Sequence, residues 1–136
     1  MSNLIKIKGR LVYDPHRPDF RKTHKMKTLI VELKPGFLAN YYESFLQKIH
    51  GTGFKLHPPM FGYHVTIVSG NERIPNLAAW KKHQGKEIEI EYDTTSIAKK
   101  HDFWFLKVNG QNLQDFRAEL GLSRNFPFHL TIGRES

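Results

Sequence analysis

Tyr63-His64-Val65-Thr66-Ile67 and Phe128-His129-Leu130-Thr131-Ile132 write one pattern twice: aromatic, His, apolar, Thr, apolar. At the two-residue period of a β-strand, each copy turns its His and Thr to one face and its apolar residues to the other. An imidazole and a hydroxyl then stand about 6.6 Å apart on the same side of each strand. In a chain with eight His, chance supplies about 0.06 copies of the His-apolar-Thr-apolar part, so two copies are a signal. About half of the 136 residues separate them, which predicts two similar lobes, each lending one His-Thr strand to a shared cleft.

Upstream of the first copy, Leu38, Tyr41, Tyr42, Phe45, Leu46 and Ile49 recur at spacings of three and four, predicting an amphipathic helix packed on a sheet. Gly51-Thr52-Gly53 ends it, and His57-Pro58-Pro59 turns the chain into a strand over 61–69. Ahead of the helix come an alternating strand, with Ile5, Ile7 and Leu11 on one face and Lys6, Lys8 and Arg10 on the other, a polar loop over 14–27, and a strand over 29–33. Downstream, strands are predicted over 87–92 and 103–108, followed by a short helix capped by Asn112. Its Leu113, Phe116 and Leu120 face inward, Gly121 suits the left-handed position after its end, and a last strand covers 126–133. Each half thus reads strand, helix, strand, with the motif on the last strand. The expectation is one α+β domain over 1–136, two-lobed and pseudo-symmetric, with antiparallel sheets lining a central cleft and helices packed outside. Lobe one covers about 14–70, and lobe two about 86–136 together with the N-terminal strand.

A chain of 136 residues suits one core and is too short for two independent ones. Without cysteine it has no disulfides and no thiolate metal site. Neither a membrane-length apolar run nor a signal-peptide core is present, so a soluble, cytoplasmic monomer that does not engage membranes is expected. A net charge of +8 favours polyanionic partners, with nucleotides and nucleic acid foremost, although a merely soluble basic surface carries charge too.

Two histidines and two threonines suit one reaction in particular. A phosphodiester with a neighbouring hydroxyl is cleaved when one group takes the attacking proton and another protonates the leaving oxygen, and imidazole serves both roles near neutrality. The non-bridging oxygens gather charge in the transition state, and Thr66 and Thr131 can donate hydrogen bonds to them. Such chemistry requires no metal, no cofactor and no covalent intermediate.

The paired motif resembles the two-histidine, or 2H, phosphoesterase superfamily, whose signature is a pair of H-x-T/S motifs on strands of two pseudo-symmetric lobes. Within it the chain looks most like small phage proteins described as Swiss-army-knife RNA-repair-like. The phrases Gly9-Arg10-Leu11-Val12-Tyr13-Asp14-Pro15, Pro59-Met60-Phe61-Gly62-Tyr63-His64-Val65-Thr66 and Phe126-Pro127-Phe128-His129-Leu130-Thr131-Ile132-Gly133 carry that likeness. What it implies, motif by motif, is that His64 and His129 are the acid-base pair and Thr66 and Thr131 bind phosphate. Its implied substrates are RNA-type phosphodiesters, either 2′,3′-cyclic phosphate ends or cyclic oligonucleotide signals, in RNA repair or counter-defence. For a phage-encoded protein the site of action is the host cytoplasm. Long insertions around the cleft, which help larger members choose substrates, are lacking here, so the resemblance does not carry a particular substrate over.

Beyond the motifs, Arg10, Tyr13 and Trp80 are candidate substrate contacts, Arg10 for phosphate and the two aromatics for base stacking. Tyr63, Trp104 and Phe128 are further candidates for stacking or core, and Arg73 and Arg134, each shortly after a motif, for phosphate. The basic row Lys6, Lys8 and Arg10 could equally protect an edge strand. None of His16, His24, His50, His57, His83 and His101 has metal-ligand spacing, so no metal is expected; His57, seven residues before the first motif, stands nearest to it. Rival readings are a protein that sequesters nucleotides without turnover and a non-catalytic RNA-binding domain, the latter marked by a steep salt dependence on long RNA.

Overall fold

The computed structural model describes residues 3–15, 27–33, 38–57 and 63–135. Among these residues eight strands and two α-helices follow in order: β1 (Leu4–Tyr13), β2 (Leu29–Leu33), α1 (Leu38–His50), β3 (Leu56–His57), β4 (His64–Val68), β5 (Glu87–Asp93), β6 (Ala98–Lys100), β7 (Phe103–Asn109), α2 (Gln111–Glu119) and β8 (His129–Glu135). Six of the strands close into an antiparallel barrel in which β1 pairs with β2, β2 with β4, β4 with β8, β8 with β7, β7 with β5, and β5 with β1. Short β3 extends the β4 edge of β8, and β6 extends the β5 edge of β7. The architecture is sheet-rich α+β.

Setting β3 and β6 aside, the chain runs β-β-α-β twice, as β1-β2-α1-β4 and then β5-β7-α2-β8. Within each half the second strand pairs with both the first and the third, and the halves meet where β1 joins β5 and β4 joins β8. β1 bridges both halves, pairing with β2 from Gly9–Leu33 to Tyr13–Leu29 and with β5 from Leu4–Asp93 to Arg10–Glu87. It must coil to serve two partners, and Gly9 lies where a Cβ would stand 2.5 Å from the Val31 side chain and 2.9 Å from the Glu32 carbonyl.

Alternation decides the core. Leu11 and Tyr13, Leu29, Val31 and Leu33, Val65 and Ile67, Ile88, Ile90 and Tyr92, Leu106 and Val108, and Leu130 and Ile132 point to one side and form one buried cluster with Tyr42, Leu46, Leu113 and Leu120 from or beside the helices. The helix stripe was expected to pack as a whole, but of its five described side chains only two do. Tyr42 and Leu46 are buried, whereas Tyr41, Phe45 and Ile49, four residues apart along the helix, are 58 %, 42 % and 64 % exposed. In α2, Gly110 is the N-cap in place of the expected Asn112, which sits inside the helix and donates its side-chain amide to the Glu89 carbonyl at 2.7 Å. A Cβ at Gly110 would collide with the Phe128 ring, so α2 and the approach to β8 meet at a glycine. Gly121 takes its expected left-handed conformation at φ +83°.

Strand β1 is also not an edge, as one reading of its basic row supposed. It lies between β2 and β5, opposite Glu89 at Lys8 and Glu91 at Lys6, and the lysines reach diagonally to carboxylates, Lys8 to Glu87 at 3.8 Å and Lys6 to Glu89 at 4.0 Å. No helix among the described residues is long and apolar enough to cross a membrane.

Candidate active site

β4 and β8 pair antiparallel with Val65 opposite Leu130, both fully buried. One step either way along that pair brings His64 beside Thr131 and Thr66 beside His129, because antiparallel register runs in opposite directions on the two strands. All four side chains therefore share the face opposite the core. Exposure agrees with that parity, since His64, Thr66 and Thr131 are half-buried and His129 is exposed. Directly opposite residues stand about 5 Å apart and diagonal ones about 7–8 Å, so each His has a Thr at its side and faces the other His across the diagonal. A phosphate group with a hydrogen bond of about 2.8 Å on each side spans about that diagonal.

The neighbouring strands extend the array. Glu32 on β2 lies opposite His64, and Arg10 on β1 lies opposite Glu32. On the other flank, Lys107 of β7 lies opposite His129 and Phe105 opposite Thr131. The Phe105 ring meets the His129 imidazole at 5.2 Å between centroids, tilted by 53°. Across five strands one row reads Phe105, Thr131, His64, Glu32, Arg10. The next reads Lys107, His129, Thr66, Ile30, Val12.

Behind β4 the array is anchored by charge. Arg117 of α2, 3 % exposed, donates through Nη1 to the Ile67 carbonyl at 2.8 Å and to Glu72 at 3.0 Å, through Nη2 to Glu72 at 2.7 Å, and through Nε to the Ser123 carbonyl at 2.8 Å. Burial pushes the Glu72 carboxyl up, but hydrogen bonds from Arg117 and from the Ser69 N–H more than offset it and hold it below its ordinary range. This ties α2 to the backbone one residue beyond Thr66.

Of the other expected contacts, Arg10 joins the array, two strands from His64. Tyr13 does not, because its parity is that of Leu11: it is 5 % exposed and its ring packs edge-on against Trp80 at 4.9 Å. Trp80 is half-buried, donates its indole N–H to Asp14 at 3.0 Å and carries Lys27 over its ring at 5.7 Å. Tyr63, Trp104 and Phe128 are core residues. Arg73 is exposed, Arg134 is exposed on β8 opposite His57, and His16 and His24 lie outside the described residues. Glu32, Phe105, Lys107 and Arg117 were not singled out from sequence. Glu32 did carry a mark, as the lone polar residue of the apolar strand Leu29–Leu33. Among the described residues no group of three or more His, Asp or Glu side chains could hold a metal ion.

Comparison of the chain with protein-family models, curated proteins and solved structures finds no match.

Proposed function

We propose that the chain is a metal-independent phosphodiesterase acting on a small RNA-type substrate, with His64 and His129 as its acid-base pair and Thr66 and Thr131 as its phosphate donors. The observation that carries the reading is the register of β4 and β8, in which two imidazoles and two hydroxyls alternate on one face of adjacent strands. An array of that kind surrounds a phosphate with two groups that move protons and two that donate hydrogen bonds. The paired β-β-α-β halves support the further reading of a two-lobed 2H phosphoesterase, each half supplying one His-Thr strand. Within that reading the substrate is a 2′,3′-cyclic phosphate end or a cyclic oligonucleotide.

The test is to incubate chelator-treated protein with cyclic dinucleotides, 2′,3′-cyclic nucleotides and short RNAs and to follow product formation. Cleavage of at least one class, lost in His64→Ala and in His129→Ala, is the expected result. Tight binding without turnover would favour a sequestering protein. Binding of long RNA that weakens steeply with salt would favour an RNA-binding domain.

A further inference from the structure

We infer that the two imidazoles have fixed and different roles: His129 takes the proton of the attacking hydroxyl and His64 gives one to the leaving oxygen, with Lys107 and Glu32 as the positioning residues that set this polarity. The inference rests on the phosphodiesterase reading above and adds a direction to it. Its basis is that the motif copies, alike in sequence, have opposite charges as their outer cross-strand neighbours.

From β2, His64 is faced by the carboxylate of Glu32; from β8, by the neutral Thr131, with His129 on the diagonal. Beyond Glu32 stand Arg10 on β1 and Glu87 on β5, so charges alternate along the row and the carboxylate is the one next to the imidazole. His129 is faced from β7 by the ammonium of Lys107 and by the Phe105 ring, and from β4 by the neutral Thr66. Asp93 lies within electrostatic range of Lys107, but its carboxyl is held low chiefly by the Thr95 N–H and hydroxyl. A carboxylate at cross-strand distance favours the imidazolium and an ammonium favours the neutral ring. Because the two rings also face each other, a proton on one disfavours a proton on the other. The cross-strand neighbours therefore set His64 on the proton-donating side of a cleavage step and His129 on the proton-accepting side.

The step balances. The ribose 2′ oxygen bonds to phosphorus as its proton passes to His129, the bond from phosphorus to the 5′ oxygen breaks, and that oxygen takes the proton from His64. The products are a 2′,3′-cyclic phosphate and a 5′-hydroxyl. Hydrolysis of the cyclic phosphate then runs the same transfers backwards: water loses its proton to His64, the ring oxygen that leaves takes the proton from His129, and both imidazoles return to their starting states.

Two ribonucleotide probes test the assignment, the dinucleotide UpA and uridine 3′-(4-nitrophenyl phosphate), whose nitrophenolate leaves without a proton. On UpA, His64→Ala and His129→Ala should each lose about 10²- to 10⁴-fold in kcat/KM. On the aryl ester, His64→Ala should come within about tenfold of wild type while His129→Ala stays as impaired as on UpA. The opposite rescue overturns the assignment and leaves the phosphodiesterase reading standing. Failure of the wild-type protein to cleave either probe overturns the assignment, and the phosphodiesterase reading falls with it only when the cyclic dinucleotides and 2′,3′-cyclic nucleotides are left intact as well. The positioning residues are read from the pH profile on UpA. Glu32→Gln should move the alkaline limb down, and Lys107→Met should move the acid limb up, each by about half a pH unit for partly exposed charges. Limbs that stay in place in both variants would remove Glu32 and Lys107 from the account.

Discussion

Strand β4 holds His64 half-buried beside Glu32 and is pinned from behind by the buried Arg117–Glu72 pair, whereas β8 holds His129 exposed beside Lys107 and the Phe105 ring. At its far end β8 is held by the surface contacts of Glu135, to Lys99 at 2.9 Å and to the Trp104 indole N–H at 3.1 Å. The same pentad can thus sit in two settings, because the strand dictates only which face the His and Thr occupy and the neighbouring strands dictate their electrostatics. The largest expected difference is no difference at all. Each His carries one proton transfer, so His64→Ala and His129→Ala should lose activity alike, by about 10²- to 10⁴-fold on an RNA-type phosphodiester. The double variant should fall little further, since the pair acts as a unit. Steady-state rates with melting curves as the control check this, and near wild-type rates in either variant would break the equivalence of the two copies.

Anchoring should separate the strands instead. Arg117→Met leaves the Glu72 carboxylate without its partner and the Ile67 carbonyl without its donor, and should cost about 3 kcal/mol in chemical denaturation. Lys99→Ala removes a contact at the surface and should leave the denaturation midpoint where it was. Equal losses would mean that the buried pair does not distinguish β4 from β8.

The threonines return to symmetry at a smaller scale. Thr66→Val and Thr131→Val keep shape and β-propensity and remove one donor each, so both should lower kcat by about 10- to 100-fold with the melting temperature retained. A loss confined to Thr131→Val, whose row also holds His64, would mean that the phosphate sits off the diagonal.

These contrasts trace what the sequence could and could not say. The His-Thr face of each motif strand was legible because alternation is local: knowing Val65 and Leu130 are apolar is enough to send their neighbours the other way. The inward residues of α2 and the left-handed Gly121 were legible for the same reason. Register was not, because nothing in Leu29–Leu33 announces that Glu32 will stop opposite His64, or in Phe103–Asn109 that Lys107 will stop opposite His129. The rotation of α1 escaped as well, since its apolar stripe is wider than the surface that receives it and packing selects Tyr42 and Leu46 over Tyr41 and Phe45. Arg117 was hidden by its type: arginine in a helix is ordinarily a surface residue, and only a carboxylate 45 residues away in sequence makes its burial affordable.

The smallest predicted effect is the pH dependence of stability, and it too separates the strands. Glu72 is held below the ordinary carboxylate value of 4.5 in the native protein, so in the acid range the unfolded chain binds more protons at this position than the folded one. Its contribution is fully present above the unfolded value and is lost as pH falls through the lowered native one. Denaturation midpoints of the wild-type protein should therefore decline on going from neutral pH into the acid range. In Arg117→Met the dominant lowering contact is gone and burial, which pushes the carboxyl up, is left, so the decline contributed by this group should flatten or reverse. Glu135 at the end of β8 is also held low, chiefly by its hydrogen bond from Lys99 and then by that from the Trp104 indole, but it is only half-buried and its ion pair with Lys99 lies at the surface, where water screens it. Lys99→Ala should leave the wild-type slope in place. Parallel pH profiles for wild type, Arg117→Met and Lys99→Ala check this, and a slope lost in Lys99→Ala but kept in Arg117→Met would reverse the assignment of the acid-sensitive anchor from β4 to β8.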